Sequence, residues 1–247
     1  MNLKWRLLIC LLLVVVSAKA QHWAGGEDDE SWHITYTAQY NVTQFQVFKK
    51  PDWQQPYSDA NGQVTTALNG IYTPHAQGFG IGLGLSKNIS NRTEIRLVPS
   101  FVLNDRVLTY RYQPGNGAFR MDRDEIEKQV RGALIELPLA FKLKSDRRKD
   151  FRAYLVAGGK YSINMLTAHS KQDNDKIALE KLLRNQNTYL SYEAGLGFDI
   201  FFEYFKLSPE IKYGATLGNI LKQQNNAFST PIDQLKLRQV TFSLYIQ

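Results

Sequence analysis

The sequence is almost free of cysteine: Cys10 is the one cysteine among 247 residues. Cys10 lies in an apolar run at residues 7–16, which follows Lys4 and Arg6 and precedes the small-residue pattern Ala-Lys-Ala at 18–20. This order is typical of a secretory signal peptide, so we expect residues 1–20 to be removed after export through the Sec pathway. The mature chain would then have no thiol, which excludes a small disulfide-stapled fold.

The rest of the chain lacks both a long apolar run and a strong excess of charge of one sign. No run after residue 20 approaches the ~20 apolar residues of a membrane helix. The net charge of +7 falls to +4 when Lys4, Arg6 and Lys19 leave with the leader, and so mild an excess gives no reason to expect nucleic acid. We expect a periplasmic tail at residues 21–31 and one domain at residues 32–247.

Catalytic and metal-binding patterns are also missing. There is no nucleophile elbow, phosphate-binding loop or cysteine cluster, and the four histidines have no ligand spacing. The sequence therefore predicts no enzyme activity, cofactor or metal. The alternative is a lipid-modifying barrel enzyme that uses His169 with Ser162 or Ser170 at a loop mouth.

What the chain has instead is strict alternation of apolar residues with small, polar or charged ones. Val240, Phe242, Leu244 and Ile246, for example, occupy every second position. Such segments are long enough to cross an outer membrane as tilted strands, and strands can cross only as a closed barrel. We therefore predict an all-β fold, a single transmembrane antiparallel β-barrel of about eight strands, with a soluble β-sandwich adhesin as the alternative. The predicted strands are 32–48, 78–87, 92–103, 132–144, 151–166, 188–202, 206–217 and 235–247.

The connections between these segments alternate in length. The short ones are 88–91, 145–149 and 203–205, and the long ones are 49–76, 113–130, 167–187 and 218–234. Outer-membrane barrels combine tight periplasmic turns with long extracellular loops, so the pattern places both termini on the periplasmic side. Within one long loop, residues 173–186 predict a short helix.

Charged residues of both signs occur within the predicted strands. A small barrel is filled by its own side chains, and unpaired buried charge is costly, so we expect a paired, structural lumenal network rather than the alternative of an ion channel. Three prolines, Pro99, Pro138 and Pro209, are expected near rims or at bulges because proline lacks a ladder donor. The predicted network comprises Glu94, Arg96, Glu136, Lys142, Arg152, Lys160, Glu193, Asp199, Glu210, Lys212 and Arg238.

Several short motifs resemble one known family, the PorT family of Bacteroidetes outer-membrane barrels. The more specific pair is Ser208-Pro209-Glu210, within KLSPEIK, and Pro231-Ile232-Asp233, within STPIDQL. Weaker matches are ELPL at 136–139, FRAY at 151–154 and GGKY at 158–161. The resemblance is clearest from residue 135 onward.

The resemblance implies a non-enzymatic outer-membrane component of the type IX secretion system, which exports proteins with a C-terminal signal and, in some species, gliding-motility adhesins. Because a barrel of about eight strands is filled, we expect it to act by contact, as an accessory or assembly factor. The expected partners are outer-membrane lipid, other secretion-system proteins and, indirectly, exported cargo, reached through the long loops, residues 225–235 and the acidic tail. The alternative is a small channel or a structural barrel unrelated to secretion.

Overall fold

The computed structural model describes residues 31–59, 62–115, 124–166 and 185–247. The regular structure within these ranges consists of strands, as the period-two pattern predicts. No helix in the described ranges is long and apolar enough to cross a membrane. The strands are β1 Trp32–Lys49, β2 Ser58–Asp59, β3 Gly62–Gln63, β4 Leu68–Tyr72, β5 Ala76–Ser90, β6 Thr93–Leu97, β7 Ser100–Asn104, β8 Arg106–Tyr112, β9 Glu125–Val130, β10 Ala133–Lys144, β11 Phe151–Asn164, β12 Thr188–Phe201, β13 Lys206–Leu217 and β14 Ile232–Ile246.

Eight wall strands close into a ring. The order runs β1, β14, β13, β12, β11, β10, then β6 and β7 together, then β5, which pairs back with β1. All these pairings are antiparallel. The predicted all-β antiparallel barrel of about eight strands is therefore confirmed. Closure removes the sheet edges and pairs their backbone groups.

The wall is apolar outside and polar inside. On β14, Phe242 and Leu244 are 48% and 40% exposed, whereas the intervening Thr241 and Ser243 are both 4% exposed. Alternate residues of a strand point to opposite faces, so this sequence can bury its polar set only by turning it into the lumen. This pattern is the reverse of that in a water-soluble protein, and it is the pattern expected for a barrel surrounded by lipid.

The three prolines interrupt the ladders without shifting their register. Pro99 separates β6 from β7, yet Gly82 pairs with Ser100 and Leu85 with Leu97 in one continuous register. Pro138 lies in the middle of β10. The expectation that prolines lie near rims or at bulges is therefore wrong for both, because the wall tolerates the missing N–H groups with a local gap in pairing. Pro209 is the fourth residue of β13, close to the rim.

Short and long connections lie at opposite ends of the barrel, as the sequence predicts. The short-turn end contains residues 91–92, 145–150 and 202–205 together with the start of β1 and the end of β14. At the other, loop end, β4, β8 and β9 form a separate three-stranded sheet. The predicted 1–20 leader and 21–31 tail lie outside the described residues apart from Ser31. The predicted helix at 173–186 also does, except for its last two residues, which are not helical.

The largest apolar core lies at the loop end rather than in the middle of the barrel. Residues of the loop-end sheet and of the 218–231 loop pack there against the upper wall. We call this cluster the loop-end cap. Its buried members are Phe45, Leu68, Val102, Leu108, Tyr110, Tyr112, Val130, Leu134, Tyr189, Ile220, Leu221, Ala227, Phe228, Ile232, Leu235 and Leu237.

Candidate functional site: a lumenal charge network below an apolar cap

The lumen holds ten of the eleven charged residues that the sequence assigns to it. Each of the ten is buried, with no more than 7% of its surface exposed. They project from wall strands β6, β10, β11, β12 and β13, on the face opposite the outer apolar stripe. The ten are Glu94, Arg96, Glu136, Lys142, Arg152, Lys160, Glu193, Asp199, Glu210 and Lys212.

One ion pair crosses the lumen from wall to wall. The Arg96 guanidinium on β6 donates to Glu210 Oε2 on β13 at 2.5 Å. Those two strands are four positions apart in either direction around the eight-strand ring, so the pair spans the diameter. The hydroxyl of Tyr154 donates to the same carboxylate oxygen at 3.0 Å, and the Tyr245 ring lies 3.8 Å from the Arg96 guanidinium carbon.

From Glu210 the network continues toward the loop end with alternating sign. The ammonium group of Lys212 lies 3.4 Å from Glu210 Oε1 and donates to Glu193 Oε1 at 2.8 Å. Beyond Glu193, Lys160 donates to Glu136 at 3.0 Å. Three cations and three carboxylates therefore form one neutral chain, which begins at Arg96.

A second neutral chain lies nearer the short-turn end. The Lys142 ammonium group donates to Asp199 Oδ1 at 2.7 Å and lies 3.7 Å from Glu94. The Lys144 ammonium group lies 3.8 Å from the same oxygen of Glu94, Oε2, and the Ser208 hydroxyl donates to Asp199 Oδ1 at 2.6 Å. Pairing and added hydrogen bonds are what charges need when they are removed from water.

Arg238, the eleventh residue that the sequence analysis assigned to the lumen, does not lie there. It lies on the outer face of β14, exposed, between buried Leu237 and Gln239. Its position has the same parity as Phe242 and Leu244, so strand geometry turns it outward. Arg238 sits toward the loop end, where a charge on the lipid face costs little compared with the bilayer midplane.

Four buried cations were missed by the sequence reading. Lys144 and Lys206 share the parity of Lys142 and Glu210, so alternation alone could have found them. Arg106 and Lys128 belong to the loop-end sheet, in a region read as a wall end and a loop. Their burial depends on packing against the cap, for which the sequence carries no periodic signal: Lys128 Nζ lies 4.1 Å from the centre of the Phe228 ring.

The residues of the family motif separate into the two structural layers. Ser208 and Glu210 are members of the charge network, and Pro209 lies between them. At the other end, Ile232 is fully buried in the cap, and the Pro231 carbonyl accepts the Lys50 N–H at 3.1 Å. Asp233 is exposed, and its carbonyl accepts from the Asn219 amide at 3.3 Å.

The 218–231 loop folds into the barrel mouth. The Tyr110 hydroxyl donates to the Phe228 carbonyl at 2.8 Å, and their rings lie 5.2 Å apart. The Asn226 side chain accepts the N–H groups of Phe228 and Ser229 at 3.1 and 2.7 Å. Residues 225–235, expected to be a contact surface, are thus largely interior, since Phe228, Ile232 and Leu235 are each 0% exposed.

This arrangement can hold the lumen closed. His169 and Ser170, two residues of the alternative enzyme site, lie outside the described residues. Among the described residues, no group of three or more histidine, cysteine or acidic side chains could hold a metal ion. The ion pairs of the two chains neutralise their members and fill the lumen. Within the described residues, nine buried cations stand against five buried carboxylates, so the barrel interior as a whole carries an excess of positive charge. The cap adds a second, apolar barrier above them.

Comparisons with known proteins identify a family for this chain through one family model. No curated protein matches the chain. Among solved structures, Neisserial surface protein A shares 10% identity over 88% of this chain and 99% of its own, with a TM-score of 0.42. OprG from Pseudomonas aeruginosa shares 10% identity over 89% and 95%, with a TM-score of 0.41. These two likenesses are too weak to carry an inference. The outer membrane protein β-barrel domain family matches residues 20–222, and the chain therefore belongs to this family of outer-membrane proteins.

Proposed function

We propose that this outer-membrane barrel is an accessory or assembly component of the type IX secretion system. It acts through protein contacts, has no enzyme activity and passes no cargo through its own lumen. The secretion role is supported by the resemblance carried by Ser208-Pro209-Glu210 and Pro231-Ile232-Asp233. The absence of transport is supported by one observation above all, the Arg96–Glu210 pair that joins opposite walls.

Opening this lumen is energetically unfavourable. Removing one partner of a buried ion pair costs about 3–5 kcal/mol, because the remaining charge is left uncompensated. Separating the two partners inside the lumen would leave two such charges. Several such pairs, together with the cap around Phe228, would have to be displaced to admit even an extended peptide. Rearrangement on that scale is comparable to the ~5–15 kcal/mol that stabilises a whole domain. A role in secretion is thus better served by the outer surfaces of the barrel.

Two surfaces are available for contacts. The outer wall meets outer-membrane lipid, and the loop end offers the exposed side of the β8–β9 hairpin to other secretion-system proteins. On that hairpin Arg111 and Glu125 form a 3.1 Å ion pair, with both side chains about half exposed. Exported cargo is reached only indirectly, through these partners, and nucleic acid has no part.

The first experiment is a deletion strain assayed for proteins that carry the C-terminal secretion signal. We expect unprocessed cargo to accumulate in the periplasm and to return to the surface on complementation with the wild-type gene. Complementation with the charge reversals Arg111→Glu and Glu125→Arg, made singly, tests the hairpin as a contact surface. The matched control reverses Arg92, whose exposed pair with Asp146 lies at the short-turn end. Normal secretion in the deletion strain refutes the secretion role.

A second measurement separates contact from conduction. The purified barrel is inserted into planar lipid bilayers, and the current is recorded across a range of voltages. We expect no stepwise conductance from the wild-type protein. Regular single-channel steps that disappear with heat-denatured protein would instead support the small-channel alternative.

A further inference from the structure

The short-turn end of the lumen carries more positive than negative charge. Its ion-paired chain is neutral, since Lys142 and Lys144 face two carboxylates. Two further cations, Arg152 and Lys206, are buried beside that chain. Lys206 lies directly opposite Phe201 on the neighbouring strand, and the Arg152 guanidinium carbon lies 5.4 Å from the centre of the Phe201 ring. Buried charge of one sign is costly unless it is compensated, so this part of the lumen around Lys144, Arg152 and Lys206, which we call the short-turn mouth, should attract an anion.

Lys206 does not take part in the ion pairs around it. Within the described part of the chain, no carboxylate oxygen lies within 4.0 Å of its ammonium group, and that group donates no hydrogen bond. The residue is 3% exposed, yet its ammonium nitrogen is not among the unpaired polar atoms that are closed off from solvent. The charge of Lys206 also repels those of Lys142 and Lys144. The ammonium group therefore meets water in the lumen and is open to an anionic partner.

A run of four carboxylates precedes the first strand at this same end of the barrel. Residues 27–30, which we call the acidic run, read Glu-Asp-Asp-Glu. They lie outside the described residues, which begin at Ser31. The Ser31 carbonyl accepts the Asn88 N–H at 3.0 Å, and the Asn88 side-chain oxygen accepts from the Lys144 ammonium group at 2.7 Å. The acidic run therefore joins the barrel beside a cation of the short-turn mouth.

Lys206 is within reach of the acidic run as well. The Gln247 backbone pairs with Lys206, and the Gln247 side-chain amide donates to Thr35 Oγ1 on β1 at 2.7 Å. Lys206 is thus level with Thr35, four residues after Ser31 along β1 and two strand spacings away across the sheet. At ~3.4 Å per residue and ~4.8 Å per strand, the backbones of Ser31 and Lys206 are about 17 Å apart. Four extended residues span about 13 Å, and the lysine side chain covers the remainder.

We propose that the acidic run binds the short-turn mouth, with its carboxylates paired to Lys206 and Lys144. The ligand is a carboxylate-rich segment of the same chain, and its tether keeps its effective concentration at the mouth near the millimolar range. Four carboxylates are enough to offset the charge of the two extra cations, Arg152 and Lys206. The site rests on the short-turn end alone and stands independently of the secretion role. It makes the acidic run an internal ligand rather than the partner contact that the sequence suggests.

The test measures whether the acidic run is held at the short-turn mouth. The chain has no cysteine after residue 20, so Gly26→Cys carries a single nitroxide label next to the run, on the mature chain folded in phosphatidylcholine vesicles. We expect a slowly tumbling component in the electron paramagnetic resonance spectrum, and its loss when the run is neutralised by Glu27→Gln, Asp28→Asn, Asp29→Asn and Glu30→Gln. Lys206→Gln should lower the ratio of slow to fast component about threefold, as the loss of one partly solvated ion pair would. The matched control is Lys149→Gln, the same change on an exposed lysine of the 145–150 turn.

Two outcomes of this measurement overturn the proposal. One is the absence of a slow component; the other is a slow component that Lys206→Gln changes no more than Lys149→Gln does. Because Lys206→Gln breaks no ion pair within the described part of the barrel, a folding defect is not expected, and an unchanged unboiled-gel mobility checks this.

A second measurement tests a free anion as the occupant of the short-turn mouth. Inorganic phosphate is added during urea unfolding, with sodium chloride of equal ionic strength as the reference. Phosphate should stabilise the neutralised variant more than the wild type, whose mouth is already filled by the acidic run. Equal effects on the two proteins, zero included, overturn the proposal.

Discussion

The ion pair across the lumen predicts a strong and non-additive effect on stability. Arg96→Met leaves Glu210 with Tyr154 at 3.0 Å and Lys212 at 3.4 Å, so the loss should be near the lower end of the ~3–5 kcal/mol for a broken buried pair. Glu210→Leu deprives both Arg96 and Tyr154 of their acceptor, and should cost about 5 kcal/mol.

The double variant, Arg96→Met with Glu210→Leu, should be much less destabilised than the sum of the two changes. Replacing both partners of a buried pair by apolar groups is often nearly neutral. Here Tyr154 and Lys212 also lose Glu210 in the double variant, so only part of the loss is recovered. We expect a coupling energy of about 2–3 kcal/mol, at the upper end of values for contacting residues. The free energy of unfolding is measured by urea titration in lipid vesicles, with tryptophan fluorescence as the probe.

A surface pair provides the matched control. Arg92 and Asp146 lie 3.0 Å apart, but their side chains are 70% and 79% exposed, so Arg92→Met should cost no more than about 1 kcal/mol. If Arg96→Met costs as little as Arg92→Met, or if the Arg96 and Glu210 effects simply add, the pair does not hold opposite walls together and the reasoning fails.

Two further predictions concern the wall and the cap. Gly158→Ala should destabilise the barrel by about 1–3 kcal/mol through overpacking, because its new methyl group would meet the Leu139 carbonyl oxygen, whereas the adjacent Gly159 has only Ser191 O at 3.9 Å. Urea unfolding of Gly158→Ala beside Gly159→Ala checks this, and equal losses would contradict it. Phe228→Ala should cost about 3–5 kcal/mol yet produce no conductance in planar bilayers, because the charge network still closes the lumen below. Channel steps in this variant would show that the cap alone is the seal.

The wall could be predicted from sequence because period-two alternation is local. Within each strand, the apolar positions show which side chains face lipid, as at Phe242 and Leu244. The loop lengths indicate the order of the strands around the ring. Alternation does not show whether the wall can accommodate a proline within a strand. The gaps at Pro99 and Pro138 stay in register because the flanking pairs on both sides fix it.

The charge network was only partly predictable. Parity shows which charges face the lumen, and applied strictly it also assigns Arg238 to the outside. It does not show which charges pair, since Arg96 and Glu210 are 114 residues apart and meet through the closure of the ring. Partners across a barrel depend on shear and strand order, which are properties of the whole sheet.

The sequence did not predict the loop-end cap, for a different reason. Residues 222–230 read as a polar loop, with glutamine, asparagine and serine around a single phenylalanine. Their polar side chains bond mainly to their own backbone, as Asn226 does to Phe228 and Ser229. These local hydrogen bonds allow the segment to be buried. They do not produce a periodic sequence pattern from which the burial could be predicted.

The charge network and the loop-end cap have different roles. The network stabilises the barrel, whereas the cap supports the loop-end surfaces that can contact partners. The charge network pairs its members with one another inside the lumen. The cap fixes the 218–231 loop to the loop-end sheet through Tyr110 and Phe228. The surfaces above the cap are thereby held in one shape, and preorganised surfaces bind at lower entropic cost. Variants of lumenal charges should therefore change the unfolding free energy without changing partner affinity in the folded protein. Variants of the exposed side of the β8–β9 hairpin should do the reverse.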